Sequence, residues 1–307
     1  MNRRQLVQNL LVSAALVALS SRVLATDEPG HNGLVRDARL TAPLKAPASG
    51  SIRVAFLISS NAEVVDFTGP WGVFNYVMVG GPSRPFSLYT VAVSTDPVTV
   101  SGGMTIVPNH SFADAPEPHI VVVPAMDLET LAPGALNWLR SVYRGADVTM
   151  SVCNGSYVLG QAGLLDGRSA TAHHNGYAGL QAMFPKVKLV RGVRYVEDGK
   201  IATAGGLTSG TDLALRVVER YFGRDVAKQT ALRLEYQGTG WMYPRSNAVF
   251  AKKPVSTTNR PLCPVCQMEV ERKTAPSGQY RDKTYYFCGE SCKKSFLANP
   301  TRFVRAK

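Results

Sequence analysis

A buried strand that runs without a break into a cysteine, and then at once into a helix, constrains this chain more than any other feature. Ala146-Asp147-Val148-Thr149-Met150-Ser151-Val152 reads as a strand covered on both faces, and Asn154-Gly155-Ser156-Tyr157-Val158-Leu159-Gly160 starts a helix with no room for a loop. Cys153 therefore falls on a tight strand-to-helix turn, the layout of a nucleophile elbow at the carboxyl edge of a parallel sheet. A helix N-terminus aimed at the sulfur favours a thiolate, and free backbone donors there can hold an oxyanion. Gly155 lets the helix pass close to the strand. The plainer alternative is a structural cysteine packed as a small hydrophobe.

The rest of the chain agrees with an elbow fold. Strand-like apolar runs at 52–58, 86–93, 119–123, 148–152 and 201–204 alternate with helix-period stretches near 70–79, 130–144, 155–164 and 208–221, and a last helix is expected near 224–236. Strands that are apolar throughout, separated by helices, predict an α/β fold: a three-layer sandwich around a parallel sheet. No apolar run approaches the roughly 18 to 20 residues of a membrane-spanning helix, which excludes a polytopic membrane protein.

Arg3 and Arg4 precede an apolar stretch over 10–19, then the small-residue pattern Val23-Leu24-Ala25. This reads as an export signal over 1–25, cleaved near Ala25, and sends the protein to the periplasm. The paired arginines, with Arg22 behind the apolar core, resemble a twin-arginine signal, with the general secretion route as the alternative. Membrane contact is then expected only during export or at the periphery. Residues 26–50 and 243–260 read as linkers, leaving an α/β domain over 51–242 and a small module over 261–307.

That module holds four of the five cysteines within 30 residues, as Cys263-x2-Cys266, 21 residues, then Cys288-x3-Cys292. Two close thiol pairs joined by a hairpin make a tetrahedral thiolate site, with two disulfides as the rival in an oxidising compartment. Thiolate softness suits zinc or copper as Cu(I), and Met268 could add a further soft ligand. The net charge of +12 is concentrated here: residues 251–307 carry twelve Lys or Arg against Glu269, Glu271, Asp282 and Glu290, whereas 26–250 is nearly neutral. Four thiolates around a divalent ion leave a net −2 that such cations stabilise. Export, and aromatics Tyr285, Tyr286, Phe287 and Phe296 that suit a small core, argue against a nucleic-acid partner.

Several motifs occur in one order: Glu63-Val64-Val65-Asp66-Phe67-Thr68-Gly69-Pro70-Trp71, Ser151-Val152-Cys153-Asn154-Gly155, Ala162-Gly163-Leu164-Leu165-Asp166-Gly167-Arg168-Ser169-Ala170-Thr171-Ala172-His173, and Thr203-Ala204-Gly205-Gly206-Leu207-Thr208-Ser209-Gly210-Thr211-Asp212. Over 52–237 the chain thus resembles the ThiJ/PfpI superfamily, a class I glutamine amidotransferase-like group, in its branch of isonitrile hydratases and sensor domains of AraC-type regulators. The resemblance implies a flavodoxin-like sandwich, a homodimer and no cofactor in the α/β domain. It makes Cys153 the nucleophile, Asp66 its acidic partner on the loop after the first strand, and His173 a histidine near the cysteine. Backbone amides of Asn154, Ala125 and Met126 would be the oxyanion donors.

The chain departs from its relatives at Ala125 and Met126, where two glycines are usual, and at Asn154, where hydratases have Thr. The absence of a His after His174 argues against a glutamine amidotransferase, and Asn154 in place of the nucleophile-following His argues against a protease. The implied chemistry is thiolate attack on a small electrophilic carbon and hydrolysis of the thioimidate to a formamide. The alternative is a non-catalytic thiol sensor, ligand-binding or metal-trafficking protein. Over 261–304, Cys263-Pro264-Val265-Cys266-Gln267-Met268, Tyr285-Tyr286-Phe287-Cys288 and Cys292-Lys293-Lys294-Ser295-Phe296 resemble a YHS domain, which implies heavy-metal handling.

Overall fold

The structure is a computed structural model that describes residues 42–81 and 83–304; the export signal expected over 1–25 lies outside the described residues. One sheet organises the larger domain. Its strands are β1 (Ile52–Leu57), β2 (Phe86–Ala92), β3 (His110–Ser111), β4 (Ile120–Val123), β5 (Val148–Ser151), β6 (Tyr195–Asp198) and β7 (Ile201–Ala204), in the order β6-β7-β5-β4-β1-β2-β3. Every neighbouring pair is parallel except β6 with β7. In β4 four consecutive β-branched residues are buried, which holds the backbone extended and fills both faces.

Alternation along the strands sorts the core into two halves. Phe56 and Val122 face α1 (Val64–Asn75) and α5 (Ser209–Phe222), meeting Phe67, Phe74, Leu213 and Val217. Leu57, Val121 and Val123 face the other way onto α2 (Ala135–Tyr143), α3 (Gly155–Gln161) and α4 (Tyr177–Met183), meeting Trp138, Leu139, Leu159 and Leu180. The result is the expected three-layer sandwich, with α6 (Arg224–Arg233) beside α5.

Three local features depart from expectation. α1 begins at Val64, not near 70, so Asp66 lies in a helical first turn instead of on a loop. Pro70 is inside that helix and removes only the hydrogen bond that would reach the Asp66 carbonyl. β6 was not expected: as an edge strand it buries alternate residues only, and Gly199 at φ +66° turns it back into β7. The segment read as a linker from 243 is docked on the domain as far as Lys252, with Arg194 N–H to Pro244 O at 2.6 Å and Arg191 Nε to Ala251 O at 3.2 Å.

Buried ion pairs fix the edge of the sheet nearest the site. Asp212 in α5 accepts from Arg194 Nε at 2.6 Å and from the Tyr236 hydroxyl at 3.0 Å. The Arg194 carbonyl in turn accepts the Gly205 N–H at 2.8 Å. Gly205 is thereby anchored just beyond the end of β7.

The C-terminal module is a hairpin, β8 (Ser277–Tyr280) with β9 (Lys283–Tyr286), followed by α7 (Glu290–Ala298). Phe296 is its hub, with ring centroids 4.9 Å from Tyr285 and 5.2 Å from Phe287. Only Cys263, Val270, Phe287 and Phe296 form its buried core among the described residues.

Candidate functional site

Cys153 is held at φ +56°, in the left-handed region that a non-glycine residue enters only under constraint. The constraint is visible on both sides: Val152 N–H donates to Val123 O at 3.0 Å, and Cys153 N–H donates to Gly205 O at 2.8 Å. The turn also needs Gly155. A methyl there would overlap the Val123 carbonyl oxygen and come within 2.8 Å of the Pro124 carbonyl. Both obstacles are backbone, so Gly155→Ala is expected to lower stability by about 3 kcal/mol, measured by urea unfolding.

The thiol is 8% exposed and the Asp66 carboxyl beside it is fully buried. Asp66 Oδ2 accepts the Ala125 N–H at 3.0 Å, while Oδ1 is buried with no hydrogen-bond partner. Burial pushes the Asp66 carboxyl up to about 7, against the pull of the Ala125 N–H. Burial, and then the Asp66 charge, push the Cys153 thiol up to about 12, although the backbone N–H groups of Asn154 and Leu207 favour its charged form. Burial therefore outweighs the helix N-terminus that favours a thiolate. A seven-residue helix and two amide donors do not offset burial beside a carboxylate. Thiol and carboxyl form a coupled pair across which a single proton can move.

The expected site residues are distributed around this pair. Asn154 brings its N–H to the sulfur. Ala125 does not serve as an oxyanion donor, because Asp66 takes its N–H; Met126 is buried beside it. His173 packs on Gly206, where any side chain would overlap its ring, and its Nδ1 accepts the Asn175 N–H at 3.2 Å, which puts the neutral ring's proton on Nε2. It stands one residue removed from the thiol, behind the Gly205-Gly206-Leu207 loop. Leu207, at φ +43°, contributes a backbone donor that no side-chain type announces; the glycine pair before it was the available signal.

In the module, the Sγ atoms of Cys263, Cys266, Cys288 and Cys292 all lie within 4.8 Å of one another, with Cys266 to Cys288 and Cys288 to Cys292 both 3.4 Å. All four are free thiols in one cluster and not two bonded pairs. A tetrahedron of thiolates about 2.3 Å from a zinc ion has edges of roughly 3.8 Å, so a modest expansion admits the ion. Met268 contributes backbone, its carbonyl accepting the Cys263 N–H at 2.8 Å.

Fold and elbow together define a cysteine-centred α/β protein with an acidic partner, carrying a separate cluster of four cysteines that could hold a metal ion. The chain belongs to the DJ-1/PfpI family, matched over residues 52–220, and carries a YHS domain matched over 263–307. It is 34% identical over 197 residues to an isonitrile hydratase of Pseudomonas putida, covering 61% of this chain and 79% of that protein. It is 28% identical over 194 residues to the HTH-type transcriptional regulator CdhR of Pseudomonas aeruginosa, covering 61% of this chain and 56% of the regulator. A ThiJ/PfpI family protein from Pseudomonas syringae superposes with a TM-score of 0.54 at 28% identity, over 68% of this chain and 84% of that one. Drosophila melanogaster DJ-1beta shares the fold, with a TM-score of 0.52 at 20% identity over 62% of this chain and all of its own.

Proposed function

We propose that this chain is a cysteine-dependent hydratase acting on a small electrophilic carbon of the isonitrile kind, joined to a heavy-metal-binding module. The observation that carries the reading is the buried Cys153–Asp66 pair, with the carboxyl titrating near neutrality and the thiol protonated at rest. Such a pair makes its nucleophile on demand. The thiol proton passes to the Asp66 carboxylate, sulfur bonds to the isonitrile carbon, and Asp66 returns the proton to that carbon, giving a thioimidate. Water then adds to the same carbon, and the thiol leaves with a proton, releasing a formamide. The net change is addition of one water. The 34% identity to the Pseudomonas putida isonitrile hydratase supports the substrate class.

The reading is completed by export to the periplasm, by a homodimer, and by zinc or copper on Cys263, Cys266, Cys288 and Cys292. These thiolates would hold the ion, which supplies a structural clamp. The second reading, a thiol-based sensor or ligand-binding protein, is favoured by the Ala125 N–H being committed to Asp66 and by the similarity to CdhR. The test is formamide production from a small alkyl isonitrile by the full-length protein. Turnover that falls at least about 100-fold in Cys153→Ala supports the enzyme. Formation of no formamide, with Cys153 still alkylated by thiol reagents, leaves the sensor.

A further inference from the structure

The turn that carries His173 is held from outside the elements of the α/β domain. The rings of His173 and His174 lie with centroids 4.2 Å apart, and Phe250 stacks on His174 at 4.0 Å with an interplanar angle of 12°. Phe250 belongs to the segment that leads into the metal module. Arg191 pins that segment in place, Nε to Ala251 O at 3.2 Å and Nη2 to Lys252 O at 3.3 Å, while its guanidinium lies 4.6 Å from the centre of the Tyr177 ring. On the inner side His173 presses on Gly206. Gly206 sits between the carbonyl that takes the Cys153 N–H and the Leu207 N–H that faces the thiol. A line of contact therefore runs from Phe250 through both imidazoles to the backbone that holds the nucleophile.

We propose that Phe250 is a positioning residue for the Cys153 site: it clamps His174, and through it His173, against the Gly205–Leu207 loop, so that docking of the C-terminal segment sets the thiol's backbone donors. The inference rests on the reading of Cys153 as the reactive centre. A flat neutral imidazole is the form that stacks on a phenyl ring, and burial holds both histidines below their ordinary proton affinity. The other end of the same turn is also tied to the site. Tyr157, one helical turn beyond Cys153, donates its hydroxyl to Gly176 O at 2.6 Å.

The test uses the full-length, metal-loaded protein with Phe250→Leu, which keeps apolar volume but loses the flat ring, and Phe250→Tyr, which keeps the ring. Three quantities are followed: histidine titration by NMR, exchange of the Cys153 and Leu207 amides, and the alkylation rate of Cys153. In the Leu variant the His174 titration is expected to move upward, the two amides to exchange about tenfold faster, the worth of one aromatic pair, and alkylation to change several-fold. The Tyr variant is expected to restore all three. A Leu variant with wild-type histidine titration and amide exchange overturns the clamp, as does an equal loss of melting temperature in both variants without local change. If Cys153 proves inert in the wild type while the Leu variant still shifts histidines and amides, the clamp stands and the reading of Cys153 falls.

Discussion

Removing metal from the four-cysteine centre is expected to unfold the C-terminal module while the α/β domain stays intact. The module buries four residues at its centre, Cys263, Val270, Phe287 and Phe296, and both strands of its hairpin are four residues long. A core of that size does not offset the entropy of ordering some forty residues. The ligand set supplies the difference, since structural zinc sites bind with an apparent free energy of about 10 kcal/mol or more, which is folding free energy when the site exists only in the folded state. The measurement is proteolysis of the full-length protein with and without a chelator. Cleavage at Lys293 and Lys294, on the module's helix, is expected to rise steeply on chelation and in Cys288→Ser/Cys292→Ser, and to fall again when zinc is returned to the wild type. Equal resistance with and without metal sinks the prediction.

Asp66→Asn should uncouple the thiol from its carboxyl, with consequences of opposite sign for stability and chemistry. The folded-state proton affinity of Asp66 lies above its ordinary value, so its contribution to stability is complete below about pH 4 and is lost as pH rises through about 7. Three pH units correspond to about 4 kcal/mol, a pH dependence that Asn abolishes. Urea unfolding at pH 4, 6 and 8 measures it directly. Alkylation supplies the second signature. In the wild type each thiolate formed above pH 7 requires a proton returned to Asp66, so the rate is expected to climb to about pH 7 and then level off. In the Asn variant it climbs tenfold per pH unit without a break, exceeding the wild type by about 100-fold at pH 9. Turnover moves the other way, falling by about 100-fold because the proton shuttle is gone. A wild-type profile that rises through pH 7 without levelling contradicts the coupled pair.

How much of this was readable from the residues follows from what each feature depends on. β4 announces itself, because four β-branched residues buried on both faces leave no polar position, and β1 and β5 stay legible because only Arg53, Thr149 and Ser151 interrupt their apolar residues. β6 hides because one of its two buried positions is Glu197, held by Arg216 and Arg220, and an acid is not read as an inward strand residue. Asp66 was recognisable as the partner of Cys153, but its place inside a helix was masked by Pro70, which ordinarily marks a helix start. The direction of the thiol's shift is not legible for a deeper reason: a helix N-terminus is visible in a sequence, whereas the depth of burial that overrides it exists only in three dimensions. Leu207 acts through its backbone and Phe250 through a stack 76 residues distant from His174, and neither leaves a local pattern.

The chain is docked on the α/β domain as far as Lys252 and on the module from Thr258, whose carbonyl accepts from Arg272, which leaves five residues, 253–257, between them. A tether of that length has an average span of roughly 12 Å. The module therefore meets the thiol-bearing domain at an effective concentration in the millimolar range, whatever the dilution of the protein around it. Even a contact too weak to survive between separate polypeptides is populated under such confinement. The five residues thus make the encounter of cysteine cluster and nucleophile a property of each molecule, independent of how many copies the compartment holds.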